Sequence, residues 1–522
     1  MADTLTHSQM TEDVTELVRL IAESHPDPFR YVGGAVAFYT LAEEIIEDLP
    51  DRADPEAFLM RVRPLVAAVH DGHTLIGLPP SSATDFSFPL KWLILPDGLY
   101  VSAVGNKELS ALIGACLVAW DGLSLEELKR RQELAEGFDN AIDLSRRLTH
   151  SLSSFRAFRA LMHPIDPPKT ARLDLTFPHQ STSRTCYIDW GEITTYFSSS
   201  VNLMHWPDLG PIQINWDVIG EEPKKVICLR IGEMTHYREA YEAWYDSGFV
   251  DPLRRWWWIR FPNEPFSGTE VIGALSQIGA ASTQLEKMVL IGLKMQIPWL
   301  IVDLRMASGG NSILATILKY FLFGRKAMID EDLGYQISRY SSLYIANYGK
   351  LPLGAARNLG GYDFREKREW QRRHKMPSDA NEIRRYQEKP MPWIPHSFRE
   401  VMDRYGEGLG WHPRILVVTA AETYSAGFDV AAMLWQRGAN HIGVTPAQSG
   451  NCFIDVLHYE LSHSHCQGTI SFKESLLYPN DPERGEMRIP DVFLTYQDLV
   501  RYDFDPHTAL YIAYEYIKSH WN

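Results

Sequence analysis

The sequence predicts a mixed α/β protein of several domains, on three observations. Beyond about residue 225, short apolar runs alternate with amphipathic helical segments, the pattern of buried strands joined by crossover helices. Residues 81–190 hold short apolar runs separated by turn signals, which read as a β-rich domain. Residues 1–80 carry apolar side chains at three- and four-residue spacing, which reads as a helical unit. With 522 residues and 45% hydrophobic content, the chain can bury sizeable cores and exceeds what a single core usually holds.

In the front unit, Val14, Leu17, Val18, Ile21 and Ala22 mark the first helix. Phe38, Leu41, Ala42, Ile45 and Leu49 mark a second, and Phe58, Val62, Leu65 and Val69 a third. Pro26, Pro28, Gly33 and Gly34 punctuate the first gap, as residues hostile to helix continuation do. The unit ends in Asp71-Gly72-His73-Thr74, a turn feeding the apolar run Leu75-Ile76-Gly77-Leu78. In residues 81–190, strands are expected at 90–95 and 99–104 around Pro96-Asp97-Gly98, and at 115–120 before Asp121-Gly122. A polar helix follows over 124–135, with Glu126 and Glu127 in its first turn, where carboxylates suit the helix dipole. Runs at 173–177 and 185–188 complete the sheet. In residues 191–522, strands are expected at 226–231, 299–304 and 414–419, with helices at 313–323 and 428–435. Residues 324–410, rich in charge, Tyr, Pro and Gly, read as an insertion that could cover the site as a lid. Inside it, the basic run from Arg365 to Lys375 is interleaved with Glu366 and Glu369 and reads as a solvated helix face. The run Trp256-Trp257-Trp258 reads as core or channel lining.

Composition excludes several classes. A net charge of −15 argues against nucleic-acid partners, which need clustered Lys and Arg to displace counterions. The five cysteines are scattered without a CxxC pair, so neither a disulfide framework nor a zinc ribbon is expected. The first ten residues lack a basic stretch followed by an apolar one, and no apolar run approaches membrane-spanning length. A cytoplasmic setting without a membrane partner is the expectation. No Walker A, GxGxxG or HExxH pattern occurs, and no cofactor is expected. His458, His463, His465 and Cys466 invite a metal reading, with His463 and His465 on one face of a strand. No carboxylate sits at ligand spacing, so surface or packing roles are expected instead.

Three segments carry chemistry. Thr423-Tyr424-Ser425-Ala426-Gly427 follows an apolar strand and opens a helix. A serine there projects beyond the sheet edge, and the following backbone N–H groups face developing negative charge. Asp303-Leu304-Arg305-Met306-Ala307-Ser308-Gly309-Gly310-Asn311 ends in a glycine pair whose N–H groups are open to an oxyanion. His73 supplies an imidazole whose pKa lies near neutrality. Taken singly, each has a bland reading: a serine at a helix start is usually an N-cap, and a glycine pair is usually a tight turn. Asp303 and Arg305 read as anchors of the sheet end.

Together, and in this order, these segments resemble the tail-specific (C-terminal-processing) serine peptidases, a family that includes the tricorn core and the interphotoreceptor retinoid-binding modules. Ile489-Pro490-Asp491-Val492 is similar to that family's late Pro-Asp strand, and Trp120-Asp121-Gly122 to a turn of its PDZ-like domain. The resemblance implies a crotonase-like α/β catalytic core over 191–522, a PDZ-like β-rich domain over 81–190 and an N-terminal helical region over 1–80. It implies Ser425 as nucleophile and an oxyanion hole of Gly309, Gly310 and Ala426. The lysine-dyad branch places its base in the segment 443–450, yet no lysine is present there, and Ser449 stands at that position. The chain is therefore similar to the tricorn-like branch, which implies His73 as general base. Glu483 is the expected third member, with Glu486 as the alternative. The implied activity is hydrolysis of a peptide bond through an acyl-enzyme. Two alternatives stay open: a hydrolase or cyclase acting on a small ester, lactone or thioester, and a non-catalytic binder of an apolar ligand. The expected partner is a peptide or small acyl substrate, and homo-oligomerisation is left open.

Overall fold

A computed structural model describes residues 4–79, 85–246, 251–260, 268–328, 335–349, 368–372 and 394–521. The front of the chain forms the three expected helices, His7–Ser24, Ala35–Glu47 and Pro55–Ala67. Local chemistry fixes two starts. Thr6 and Gln9 cap each other reciprocally, and Asp54 accepts the N–H of Ala57 ahead of Pro55, satisfying amides the helix itself cannot pair. The apolar faces meet around Met10, Val14, Leu17, Phe38, Phe58 and Val62. Leu461, Cys466 and Ile470 from late in the chain close the same core.

The next region is an antiparallel sheet ordered Leu90–Leu95, Gly98–Val104, Cys116–Trp120, Thr170–Phe177 and Thr182–Asp189. Each strand lies where the turn signals put it. The expected polar helix is Leu125–Ala135, capped by Ser124. Trp120 is fully buried against Phe88, Phe158 and Trp190. Two helices escape the sequence reading, Ala141–Ser151 and Phe155–Met162. In the first, buried Asp143, Ser145 and Arg147 occupy positions that periodicity assigns to apolar residues; the second is only eight residues long.

The third region is built on a six-stranded sheet, Ile214–Ile219, Val226–Ile231, Trp299–Asp303, Arg414–Thr419, Asn440–Gly443 and Val492–Phe493, in that order. The first pair is antiparallel and the rest are parallel. Side chains alternate between faces, as a strand requires. Leu229, Leu300, Val302 and Val417 pack under the helices Ala281–Met295, Ile313–Ala327 and Ala426–Trp435. Cys228, Ile301, Leu416 and Val418 pack under Thr508–Ser519. Burial on both faces explains why these strands read as unbroken apolar runs. Asp303 is buried at the sheet end between Arg230 and Arg305, at 3.0 and 2.8 Å.

A separate sheet carries the long hairpin Asn451–Glu460 and Gln467–Leu476. Leu75–Gly77 pairs antiparallel with its second strand. Two expectations are corrected here. His463 and His465 lie in the turn between the hairpin strands and bind Glu12 and Glu460, each at 2.8 Å, so they share no strand face. Arg368–Arg372, inside the basic run, is a strand paired with Tyr335–Arg339 rather than a helix; an available strand partner overrides weak local preference. The expected lid falls largely on 329–334, 350–367 and 373–393, outside the described residues. Among the described residues, no helix is long and apolar enough to cross a membrane.

Candidate active site

The strand Arg414–Thr419 ends in a turn that delivers Ser425 to the start of the helix Ala426–Trp435. Two bonds fix the turn. Thr423 Oγ1 donates to Leu304 O at 2.8 Å, and Tyr424 N–H donates to Ala307 O at 3.0 Å. Ser425 itself has φ 51° and ψ −125°, a sparsely populated conformation that costs about 1–3 kcal/mol and needs support from its surroundings. Its N–H donates to Gln448 Oε1 at 2.6 Å. Gly427 must be glycine, because an added Cβ would sit 2.0 Å from Ala307 O.

Gly309 and Gly310 take φ of 125° and 131°, open to glycine alone. A Cβ on Gly309 would lie 2.8 Å from Ser425 Cβ. The glycine pair and the serine are thus in direct contact. Among the described residues, no acceptor engages the N–H of Gly309 or Gly310. Ala426 is the first residue of its helix, so its N–H has no partner in the helix ladder.

His73 comes from the turn after the front helices. Asp71 organises that turn by accepting His73 N–H at 2.8 Å, Thr74 Oγ1–H at 2.5 Å and His25 Nε2 at 3.2 Å. Thr469, on the late hairpin, donates Oγ1–H to His73 O at 2.7 Å. The His73 ring stacks on Tyr424 with centroids 4.9 Å apart. Tyr424 Oη stands 3.4 Å from His73 Nδ1 and donates to Asp139 Oδ2 at 3.1 Å. Asp139 Oδ1 accepts the N–H of Gly72. His73 Nε2 is buried and has no hydrogen-bond partner among the described residues. Burial, then nearby Arg147, pushes the His73 pKa below the ordinary imidazole value, although Asp71 and Asp143 oppose this. Burial, reinforced by Asp143 and Asp71, pushes the Asp139 carboxyl well above its ordinary value.

Ser425, His73, Gly309 and Gly310 line one cleft of about 410 Å³, with Tyr424 and Arg146 in its wall. Arg146 lies over the Tyr424 ring at 4.5 Å. The structure does not bring Glu483 into this cleft. Glu483 is exposed on the short helix Pro482–Glu486, and its carboxylate makes no ion pair or hydrogen bond among the described residues. Glu486 is also exposed; its backbone oxygen accepts Ser449 Oγ–H at 2.7 Å. Sequence reading missed Asp139, which looks like any residue before a capped helix, and Gln448, which sits in the segment searched for a lysine. Ser449, at the lysine position, is 2% exposed, and its one hydroxyl proton is shared between Glu486 O and Asp139 O, the latter at 3.0 Å. It ties two loops together. Ligand-type atoms of Asp71, His73 and Asp139 come within 4.8 Å of one another. Their carboxylate oxygens are already bound to N–H and O–H donors, so the cluster is built as a hydrogen-bond network.

Fold and site together define a mixed α/β protein in which a strained serine, a half-buried histidine and a glycine-pair turn share one cleft. Solved structures share the fold. The chain superposes on mature CPAF with a TM-score of 0.60 at 13% identity, covering 97% of this chain and 98% of that one. It superposes on mature CPAF complexed with lactacystin with a TM-score of 0.59 at 13% identity, covering 96% and 97%. No family model and no curated protein matches the chain.

Proposed function

We propose that this chain is a serine hydrolase of the tail-specific peptidase type, cleaving an amide bond through an acyl-enzyme on Ser425. The observation that carries the reading is the meeting of Ser425, His73 and the Gly309-Gly310 turn in one cleft. Ser425 Oγ attacks the scissile carbonyl while His73 takes its proton. A lowered imidazole pKa keeps His73 neutral, and hence able to accept that proton, at neutral pH. The carbonyl oxygen becomes an oxyanion facing the N–H groups of Gly309 or Gly310 and Ala426, which no acceptor among the described residues engages. Each such donor contributes about 3–4 kcal/mol of transition-state stabilisation. His73 then protonates the leaving amine, and water, deprotonated by His73, releases the acyl group.

Among the described residues, the Nε2 of His73 has no hydrogen-bond partner. Hydrogen bonds of this kind commonly tighten when substrate arrives. Tyr424 Oη stands within hydrogen-bond reach of His73 Nδ1, at 3.4 Å, and is suited to hold the ring's orientation.

The test is labelling with a fluorophosphonate probe, followed by a screen of peptides against esters, lactones and thioesters. The reading expects labelling of wild type, none of Ser425→Ala, and turnover of peptides. Labelling that persists in Ser425→Ala refutes the nucleophile. Turnover of esters or thioesters without peptides favours the small-molecule hydrolase or cyclase.

A further inference from the structure

We infer that Gln448 is the positioning residue of this site: its side-chain oxygen holds the backbone of the nucleophile in its strained conformation. The inference rests on the proposed role of Ser425 and goes beyond it. Ser425 is a non-glycine residue at φ 51°, and such a conformation persists only when its surroundings over-determine it. The turn on its N-terminal side is tied through Thr423 and Tyr424, but those bonds stop one residue short. The bond from Ser425 N–H to Gln448 Oε1, at 2.6 Å, acts on the strained residue directly. Gln448 is 4% exposed, so water does not readily substitute for it. An amide in this place can face a backbone N–H only with its oxygen, which settles the side chain's orientation.

The same bond sorts the donors around the nucleophile. Ser425 N–H is consumed, whereas the N–H groups of Ala426, Gly309 and Gly310 are left for an oxyanion. Gln448 thus fixes both where Oγ starts and which amides can answer the charge that develops. It lies directly before Ser449, at the position where the lysine-dyad branch would carry its base. In this chain the segment anchors instead: Gln448 holds the nucleophile, and Ser449 holds the loops of Asp139 and Glu486.

Two variants and one measurement on the unaltered protein test this. Gln448→Met keeps volume and removes the acceptor; Gln448→Glu restores an acceptor. Fluorophosphonate labelling of Gln448→Met is expected to slow about 10- to 100-fold, the scale of losing near-attack geometry, with kcat on a turned-over substrate falling and KM little changed. Gln448→Glu is expected to recover to within about threefold of wild type near neutral pH, because a carboxylate oxygen accepts the same N–H. In wild type, residue-resolved hydrogen exchange should find the Ser425 amide protected and those of Gly309 and Gly310 fast. Labelling of folded Gln448→Met at the wild-type rate overturns the inference, as does fast exchange at Ser425 in wild type should the Met variant fail to fold. Equal slowing in both folded variants also overturns it, since shape rather than the acceptor would then matter. If wild type does not label at all, the nucleophile reading falls, and the role assigned to Gln448 falls with it.

Discussion

Replacing Asp71 with Asn should be among the most damaging single changes outside the cleft floor. Both Asp71 and its partner His25 have side chains with 0% exposure. One carboxylate oxygen accepts His73 N–H, and the other accepts from both His25 and Thr74. Asparagine must present an NH2 to one of these two sets. Either the His73 amide or the His25–Thr74 pair is left facing a donor. Lost hydrogen bonds to a charged acceptor are worth about 1.5–3 kcal/mol each, and a stranded buried donor adds to that, so about 3–5 kcal/mol is expected. Urea unfolding, followed by a probe in the front helices, should show the midpoint of that transition fall with its slope unchanged. The pH dependence carries a second signature. Burial works to raise the Asp71 pKa, but the hydrogen bond and electrostatic attraction of His25, the attraction of His73 and the Thr74 hydrogen bond together outweigh it and hold the group well below its ordinary value. A depressed carboxylate contributes stability above its unfolded pKa, about 4, and loses it as pH falls through the folded value. The gap between wild type and Asp71→Asn should therefore narrow as pH drops below about 4. A loss under about 0.5 kcal/mol at pH 7, or a gap that widens in acid, would refute the reasoning.

Further outcomes follow from the same geometry. Gly309→Ala should slow fluorophosphonate labelling about 100-fold or more, since the new Cβ meets Ser425 Cβ at 2.8 Å on a glycine-only backbone; a wild-type rate would remove the glycine turn from the site. Tyr424→Phe should lower kcat about tenfold by freeing the His73 ring, whereas Glu483→Gln should stay within about threefold of wild type. The opposite ranking in steady-state assays would restore Glu483 as the third member. The lowered His73 pKa places the acid limb of kcat/KM below the ordinary imidazole value of about 6.5, with activity rising as pH rises through it. An acid limb above 7, shared by wild type and Tyr424→Phe, would contradict a desolvated imidazole base.

Much of the fold was legible because buried parallel strands write themselves as apolar runs. Val226–Ile231 and Arg414–Thr419 lie where the sequence reading puts them. The turn serine and the glycine pair were legible for a related reason: a strand followed at once by small residues leaves few other structures. The hairpin Asn451–Glu460 and Gln467–Leu476 was not, since half its side chains face water or the front helices and its run of histidines suggested metal chemistry instead. Asp139 and Gln448 could not be picked out, because their roles depend on contacts across 285 and 23 positions respectively, and nothing local distinguishes them from a capping neighbour or a loop residue. Glu483 shows the converse: order along the chain suggested it, and three-dimensional packing leaves it in solvent.

The strand Leu75–Gly77 and the carbonyl of His73 are both stitched to Gln467–Leu476, a partnership spanning 396 positions for the Thr469 bond. A ribosome therefore makes the imidazole early but cannot seat it until residues 467–476 have emerged. Loop closure over such a distance is slow relative to local folding. Any fragment cut short before that hairpin therefore lacks both the strand partner of Leu75–Gly77 and the hydroxyl that holds the His73 carbonyl.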